Sequence, residues 1–378
     1  MSFMLALPKI SLHGAGAIGD MVKLVAGKQW GKALIVTDGQ LVKLGLLNSL
    51  FAALDEQQMA YQLFDEVFPN PTEALVQQGY AAYRAARCDY LIAFGGGSPI
   101  DTAKAIKILT ANPLHRLPGV GKVKNAGVPL VAINTTAGTA AEMTSNAVII
   151  DSERQVKEVI IDPNLIPDIA VDDASVMLDI PPAVTAATGM DALTHAIEAF
   201  VSVGAHPLTD ANALEAIRLI NLWLPKAVDD GHDLQAREQM AFGQYLAGMA
   251  FNSAGLGLVH ARPSAGATHN LPHGVCNAIL LPIIENFNRP NAVARFARVA
   301  QAMGVDTRGM SDEAASMEAI NAIRTLSKRV GSQGFSQLGV SKADIEGWLD
   351  KALADPCAPC NPRPASRDEV RKLYLEAL

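Results

Sequence analysis

Asp191 and His195 stand four residues apart in GMDALTHAIEAF, residues 189–200. At that spacing both side chains project from one side of a helix. The surrounding residues are apolar, and the stretch contains no lysine or arginine to balance the acid. An unpartnered carboxylate is costly to bury. Two remedies are open: a local Asp–His hydrogen bond, or a metal ion held by both residues. Downstream, GLVHARPSAGATHNLPHGVCNAILLP adds His260, His269 and His273. Asp191, His195, His260 and His273 together make an N₃O donor set, which suits Fe²⁺ or Zn²⁺ and not Mg²⁺ or Ca²⁺. His260 and His273 adjoin glycine-rich, apolar sequence, which predicts side chains facing a core.

A second group of residues points to an anion site. AFGGGSPIDTAKAI sets Gly95, Gly96, Gly97 and Ser98 between an apolar run and a segment of helical spacing. Glycines let the backbone approach a ligand closely, and a helix start aims free N–H groups at it. Such a start suits a pyrophosphate; a tight strand-to-helix turn without a ligand is the alternative. Asp38, in VTDG, is placed to take a pair of ribose hydroxyls and to repel a 2′-phosphate, favouring NAD over NADP. It is equally a turn-forming Asp before Gly. NTTAGTAAEMT supplies Thr135, Thr136, Thr139 and Thr144 at the end of a further apolar run.

Elements that position these residues follow from the patterning. The first half alternates KALIVTDGQ, AYQLFDEV, EALVQQGYAAYRAARC, DYLIAFGGGSPID, IDTAKAIKILTAN and VPLVAINTTAGTAAEM, which reads strand, loop, helix in repetition. That order predicts a parallel sheet with helices on its faces. After about residue 180 helical segments follow one another, among them PAVTAATGMDALTHAIEAFVS, TDANALEAIRLINLWLPKAV and LQAREQMAFGQYLAGMAFNSAGLGLVHA. NAVARFARVAQAMG, SMEAINAIRTLSKRVG and KADIEGWLDKALAD continue the series. The expected organisation is α/β plus all-α: residues 1–179 a Rossmann-like sheet domain, residues 180–378 a helical domain. The boundary falls near SVMLDIPP, where Pro181 and Pro182 start a helix.

Composition narrows the function classes. The 378 residues are 49% hydrophobic with a formal net charge of −7, so a large core is affordable and no basic block invites nucleic acid. No apolar run reaches the length of a membrane helix, and the N-terminus lacks the pattern of a signal peptide. Four cysteines make no disulfide framework. Cys357 and Cys360, in DPCAPCNPRP, read as reduced cysteines in a loop, and a cytoplasmic location is the expectation.

The motifs GGGSPID, NTTAGTA, TAATGMDALTHAIEA, AGMAF, GLGLVHA and LPHGVCNAILLP resemble those of the iron-containing (group III) alcohol dehydrogenases. The branch with 1,3-propanediol, lactaldehyde and ethanol dehydrogenases is the most similar, and the resemblance runs through nearly the whole chain. It implies a dehydroquinate synthase-like fold, an NAD domain followed by a helical domain, with catalysis between them. Asp191, His195, His260 and His273 fall on the family's metal ligands. Asp38, Asn70, Gly96, Gly97, Ser98, Thr135, Thr136, Thr144, Lys157 and Val176 fall at or beside its cofactor positions. The implied activity is reversible oxidation of primary alcohols to aldehydes by NAD with Fe²⁺, or Zn²⁺, by a homodimer or higher oligomer. A zinc polyol dehydrogenase and a catalytically impaired NAD- and metal-binding protein are the alternatives. One departure concerns the proton relay. Ser264 stands where the family usually has a second histidine after His260, within HARPSAG, and His269 is the candidate substitute.

Overall fold

A computed structural model describes residues 2–112, 120–152, 156–261 and 271–378, the side chain of Val156 excepted. Two compact units are present. One comprises Ala6–Thr136 and Ala140–Leu178; the other comprises Asp179–Leu378 with Ala137–Thr139 and the N-terminal residues up to Leu5.

The first unit is built on a six-stranded parallel sheet. Its strands are β1 (Ile10–His13), β2 (Lys32–Val36), β3 (Ala60–Phe64), β4 (Tyr90–Gly95), β5 (Leu130–Asn134) and β8 (Ile169–Asp172), in the order β1-β8-β5-β4-β2-β3. The central strands β4 and β5 are buried along their whole length, which is why they read as unbroken apolar runs rather than alternating ones. Helices α1 (Ala17–Ala26), α2 (Gly39–Lys43), α3 (Asn48–Glu56), α4 (Glu73–Ala85) and α5 (Gly97–Leu109) connect them. A separate antiparallel pair, β6 (Asn146–Asp151) and β7 (Val156–Ile161), follows β5 and carries Lys157.

From β2 the chain moves outward to β3, whereas from β4 it moves the other way to β5. The order therefore reverses between β2 and β4. Crevices at the carboxyl ends of strands on either side of such a reversal are where open α/β sheets bind ligands. Asp38 ends β2 and the glycine loop ends β4.

The second unit is helical: α6 (Pro182–Val201), α7 (Pro207–Asp229), α8 (Leu234–Ala254), α9 (His273–Asn288), α10 (Val293–Ala302), α11 (Asp312–Arg329), α12 (Lys342–Leu353) and α13 (Arg367–Glu376). Pro182 occupies the first turn of α6, where its missing N–H goes unneeded. The helix is buried from Gly189 through Val201, so it forms the unit's centre. Glycine admits its neighbours. A Cβ on Gly189 would lie 2.3 Å from Leu224 of α7, and one on Gly274 would lie 2.2 Å from the Ala187 carbonyl oxygen of α6.

One expectation changes here. LQAREQMAFGQYLAGMAFNSAGLGLVHA reads as continuous helix, but α8 stops at Ala254. Gly255 then takes φ +75°, a conformation L side chains rarely adopt, and turns the chain out of the helix. His260 therefore sits on an irregular segment. Among the described residues, no helix is long and apolar enough to cross a membrane.

Candidate functional site

Three elements of the helical unit bring acids and imidazoles together. Helix α6 carries Asp191 and His195; the segment after α8 carries His260; the first residue of α9 is His273. Ligand atoms of Asp191, His195 and His260 all lie within 4.8 Å of one another. The rings of His195 and His260 stack at 4.4 Å between centroids, and Phe251 stacks on the far side of His195 at the same spacing. His273 reaches the cluster from its edge, Nε2 standing 3.6 Å from Asp191 Oδ1. Its side chain is 46% exposed, which corrects the expectation of a core-facing residue.

Asn277, one turn beyond His273 on α9, lies at the focus. Its Nδ2 donates to Asp191 Oδ1 at 2.6 Å and sits 3.0 Å from His260 Nε2 and 3.2 Å from His273 Nε2. An amide has two hydrogens, and with neutral rings it faces three acceptors. The cluster thus holds more lone pairs than donors, as a cation site does.

Burial and neighbouring charges act on each of these groups. Burial opposes charge on Asp191, yet His195, His273 and the hydrogen bond with His260 hold its carboxyl well below the usual carboxylate range. Burial likewise opposes charge on His260, but the carboxylates of Glu198 and Asp191 outweigh it and push the imidazole up to about 9. His195 goes the other way, burial outweighing Asp191 and lowering it to about 4. The two neighbouring imidazoles are thus shifted in opposite directions, His260 by the carboxylates beside it and His195 by burial.

Two residues of this site escape a reading of single pairs. Glu198 hydrogen-bonds His260 Nδ1 at 2.5 Å and accepts the Val259 N–H at 2.6 Å. It extends the Asp191–His195 spacing to a third member, seven residues after Asp191, and that periodicity was available in the sequence. Asn277 carried only the weaker signal of standing four residues after His273. His269 and Ser264 lie outside the described residues.

The α/β unit gathers most of the remaining candidates at one sheet edge. Because β4 lies between β2 and β5, Asp38, the glycine loop and Thr135 end adjacent strands. Helix α5 begins at Gly97, with Ser98 in its first turn. Thr136 packs against Gly96, where a Cβ would come within 3.1 Å of its Oγ1. Asp38 caps α2, its Oδ1 accepting from the N–H groups of Gln40 and Leu41, so the turn-forming role is realised with the second oxygen outside that cap. Thr144 is turned inward. Its hydroxyl and carbonyl both accept from the buried Lys104, which also binds the Asn146 carbonyl. Asn70 is exposed at φ 59°, in the left-handed region that asparagine tolerates. Lys157 is exposed on β7, and Val176 is buried in the single turn Ala174–Met177. Cys357 and Cys360 are free thiols, the first capping and the second ending the single 3₁₀ turn Ala358–Cys360.

Comparison with known proteins covers the whole chain. The family described as iron-containing alcohol dehydrogenase matches residues 8–174, and its C-terminal counterpart matches residues 185–378. An NAD-dependent methanol dehydrogenase of Bacillus methanolicus is 42% identical over 98% of this chain and 99% of that protein. A lactaldehyde reductase of Escherichia coli K12 is 43% identical over 100% of both chains. A crystal structure of 1,3-propanediol oxidoreductase superposes with a TM-score of 0.97 at 40% identity, covering 100% of both chains.

Proposed function

The chain belongs to the iron-containing alcohol dehydrogenase family, and on that premise we propose that it interconverts small primary alcohols and aldehydes, with NAD as hydride carrier. The observation that carries this reading is the convergence of Asp191, His260 and His273 on Asn277, with His195 beside them. The donor set is N₃O and electron-rich, which fits a ferrous ion; Asp191, His195, His260 and His273 would hold it. Such an ion, when bound, supplies Lewis acidity that lowers an alcohol's pKa and polarises an aldehyde carbonyl.

The chain's own residues supply the rest. Buried Asp191 would offset part of the charge of a bound ion, and Phe251 stacks on His195. The N-terminus of α5, entered through glycines, suits the two phosphates of NAD. The Asp38 oxygen left outside the α2 cap suits the adenosine ribose. His269 keeps its proposed part in proton transfer on sequence grounds. NAD rather than NADP is favoured by Asp38, and the methanol-oxidising relative is NAD-dependent by name.

The test is an anaerobic assay following NADH with methanol, ethanol, 1,2-propanediol and 1,3-propanediol, after loading with Fe²⁺ or Zn²⁺. Turnover with at least one alcohol, abolished by a chelator and restored by metal, is the expected result. Asp191→Ala and His260→Ala should each lower kcat/KM by about 100-fold or more, with loss of bound metal. Tight NAD binding without turnover under every metal would favour the catalytically impaired alternative.

A further inference from the structure

Glu198 shares one stripe of α6 with Asp191 and His195, yet it addresses the back of the cluster. Its Oε2 accepts the His260 Nδ1–H at 2.5 Å, and its Oε1 accepts the backbone N–H of Val259 at 2.6 Å. Glu198 is 1% exposed and His260 is 9% exposed, so water does not compete for either bond. The adjoining backbone is held as well. Leu258 donates its N–H to Asn361 Oδ1, and a Cβ on Gly257 would lie 2.9 Å from Glu198 Oε1. A side chain there would crowd both the carboxylate and Asn361 Oδ1.

A carboxylate can only accept, so Nδ1 of His260 must carry the hydrogen. In the neutral ring, Nε2 is then left as a lone pair. That atom faces Asn277 Nδ2 at 3.0 Å and Asp191 Oδ1 at 3.6 Å, toward the convergence point. Meanwhile the Val259 bond anchors the same carboxylate to the backbone one residue earlier. One side chain therefore settles both the tautomer of the ring and the direction in which it points.

We propose that Glu198 is a positioning residue for the cation site, holding His260 as an Nε2 ligand through a carboxylate–imidazole pair. The proposal rests on the cation site described above. Outer partners of this kind typically contribute 10–100-fold in metal affinity. Glutamine cannot replace it. Gln has one acceptor oxygen for two donors, so its amide NH₂ must face either Val259 N–H or His260 Nδ1–H. In the first case the backbone anchor is lost and the ring is held less firmly; in the second the ring is released, or it moves its hydrogen to Nε2 and offers the cation a donor.

The test uses full-length protein stripped with a chelator and titrated anaerobically with Co²⁺, by calorimetry and by visible absorption of the bound ion. Glu198→Gln should bind Co²⁺ about 10–100-fold more weakly than the native protein, with an altered absorption band. Glu285→Gln is the control, since Glu285 is buried in the same core and acts on Glu198 without a hydrogen bond to His260; it should bind as the native protein does. Native affinity and spectrum in Glu198→Gln overturn the proposal and leave the cation site standing. Equal weakening in Glu285→Gln also overturns it, because the effect would then belong to the core in general. Native protein that takes up no Co²⁺ removes the cation site itself. If Glu198→Gln does not fold, Glu198→Asp is read in the same way, since it keeps the charge and loses the reach.

Discussion

Glu285 is fully buried on α9, and its Oε1 has no hydrogen-bond partner among the described residues. Burial, then the charge of Glu198, pushes its carboxyl up to about 8 from an ordinary value of 4.5. Between those values the unfolded chain releases this proton while the native chain keeps it. Stability from this group therefore falls as pH rises through that window. Glu285→Gln removes the titration, so the variant should gain on the native protein from pH 5 to pH 8, by a few degrees in Tm, on the order of 2–4 °C per kcal/mol. A difference in Tm that does not change with pH would show that Glu285 is charged in the fold. Asp38 is tested at the same scale: replacing it with Gly should raise the NADP/NAD ratio of kcat/KM, measured by steady-state kinetics. An unchanged ratio would leave Asp38 as a helix cap alone. At this scale the candidate ligands Asp191, His195, His260 and His273 could be proposed from residue type, spacing and family resemblance. Glu198 was marked only by its place seven residues after Asp191 and Asn277 only by its place four after His273, because neither is recognised by type. An acid in a helix is ordinarily a solvated charge, and an amide is ordinarily a hydrogen-bonding partner. Only their neighbours give them a part in this site.

Helix packing sets the distance between candidate ligands on different elements. Helices α6 and α9 approach closely at Gly274, where an added Cβ would meet the Ala187 carbonyl oxygen at 2.2 Å and the Asp191 Cβ at 3.3 Å. A backbone carbonyl cannot rotate aside, so Gly274→Ala must push α9 away from α6. His273 and Asn277 would move with it. We expect a loss of roughly 1–3 kcal/mol in denaturant unfolding, together with weaker metal binding in titration. At Gly189 the obstacle is the end of the Leu224 side chain, which can change rotamer. Gly189→Ala should therefore be the milder variant by the same two measurements, and the reverse ranking would contradict this account of the packing. At the element scale the strand-helix alternation was legible because parallel strands buried on both faces read as apolar runs. The end of α8 was not, since the small apolar residues after Ala254 continue the helical pattern while Gly255 breaks the backbone geometry.

For the whole molecule, the candidate sites fall in different compact units. Ligands should therefore leave separate footprints in hydrogen exchange. Fe²⁺ should slow exchange in α6, in residues 257–260 and at the start of α9. NAD should slow it at residues 38–41, 95–98 and 134–136. A bound ligand stabilises by RT ln(1 + [L]/Kd), about 2.7 kcal/mol at 100 times Kd, which is ample for such protection. Metal protection confined to the α/β unit would contradict the ligand assignment. The homo-oligomer expected from the family resemblance belongs to the proposal too, and sedimentation of the full-length protein checks it.

The sequence by itself determined the class of chemistry and the order of the elements. The order of the elements follows from hydrophobic period and glycine runs, and the class of chemistry from motifs that resemble those of the iron-containing alcohol dehydrogenases. Tertiary structure alone decided which groups share a site. The separations of 62 positions from Glu198 to His260, and of 86 from Asp191 to Asn277, close only when α8 and α9 fold back on α6. Close packing makes that closure specific, because a carboxylate 2.5 Å from an imidazole nitrogen acts on it, and the same carboxylate left in water does not.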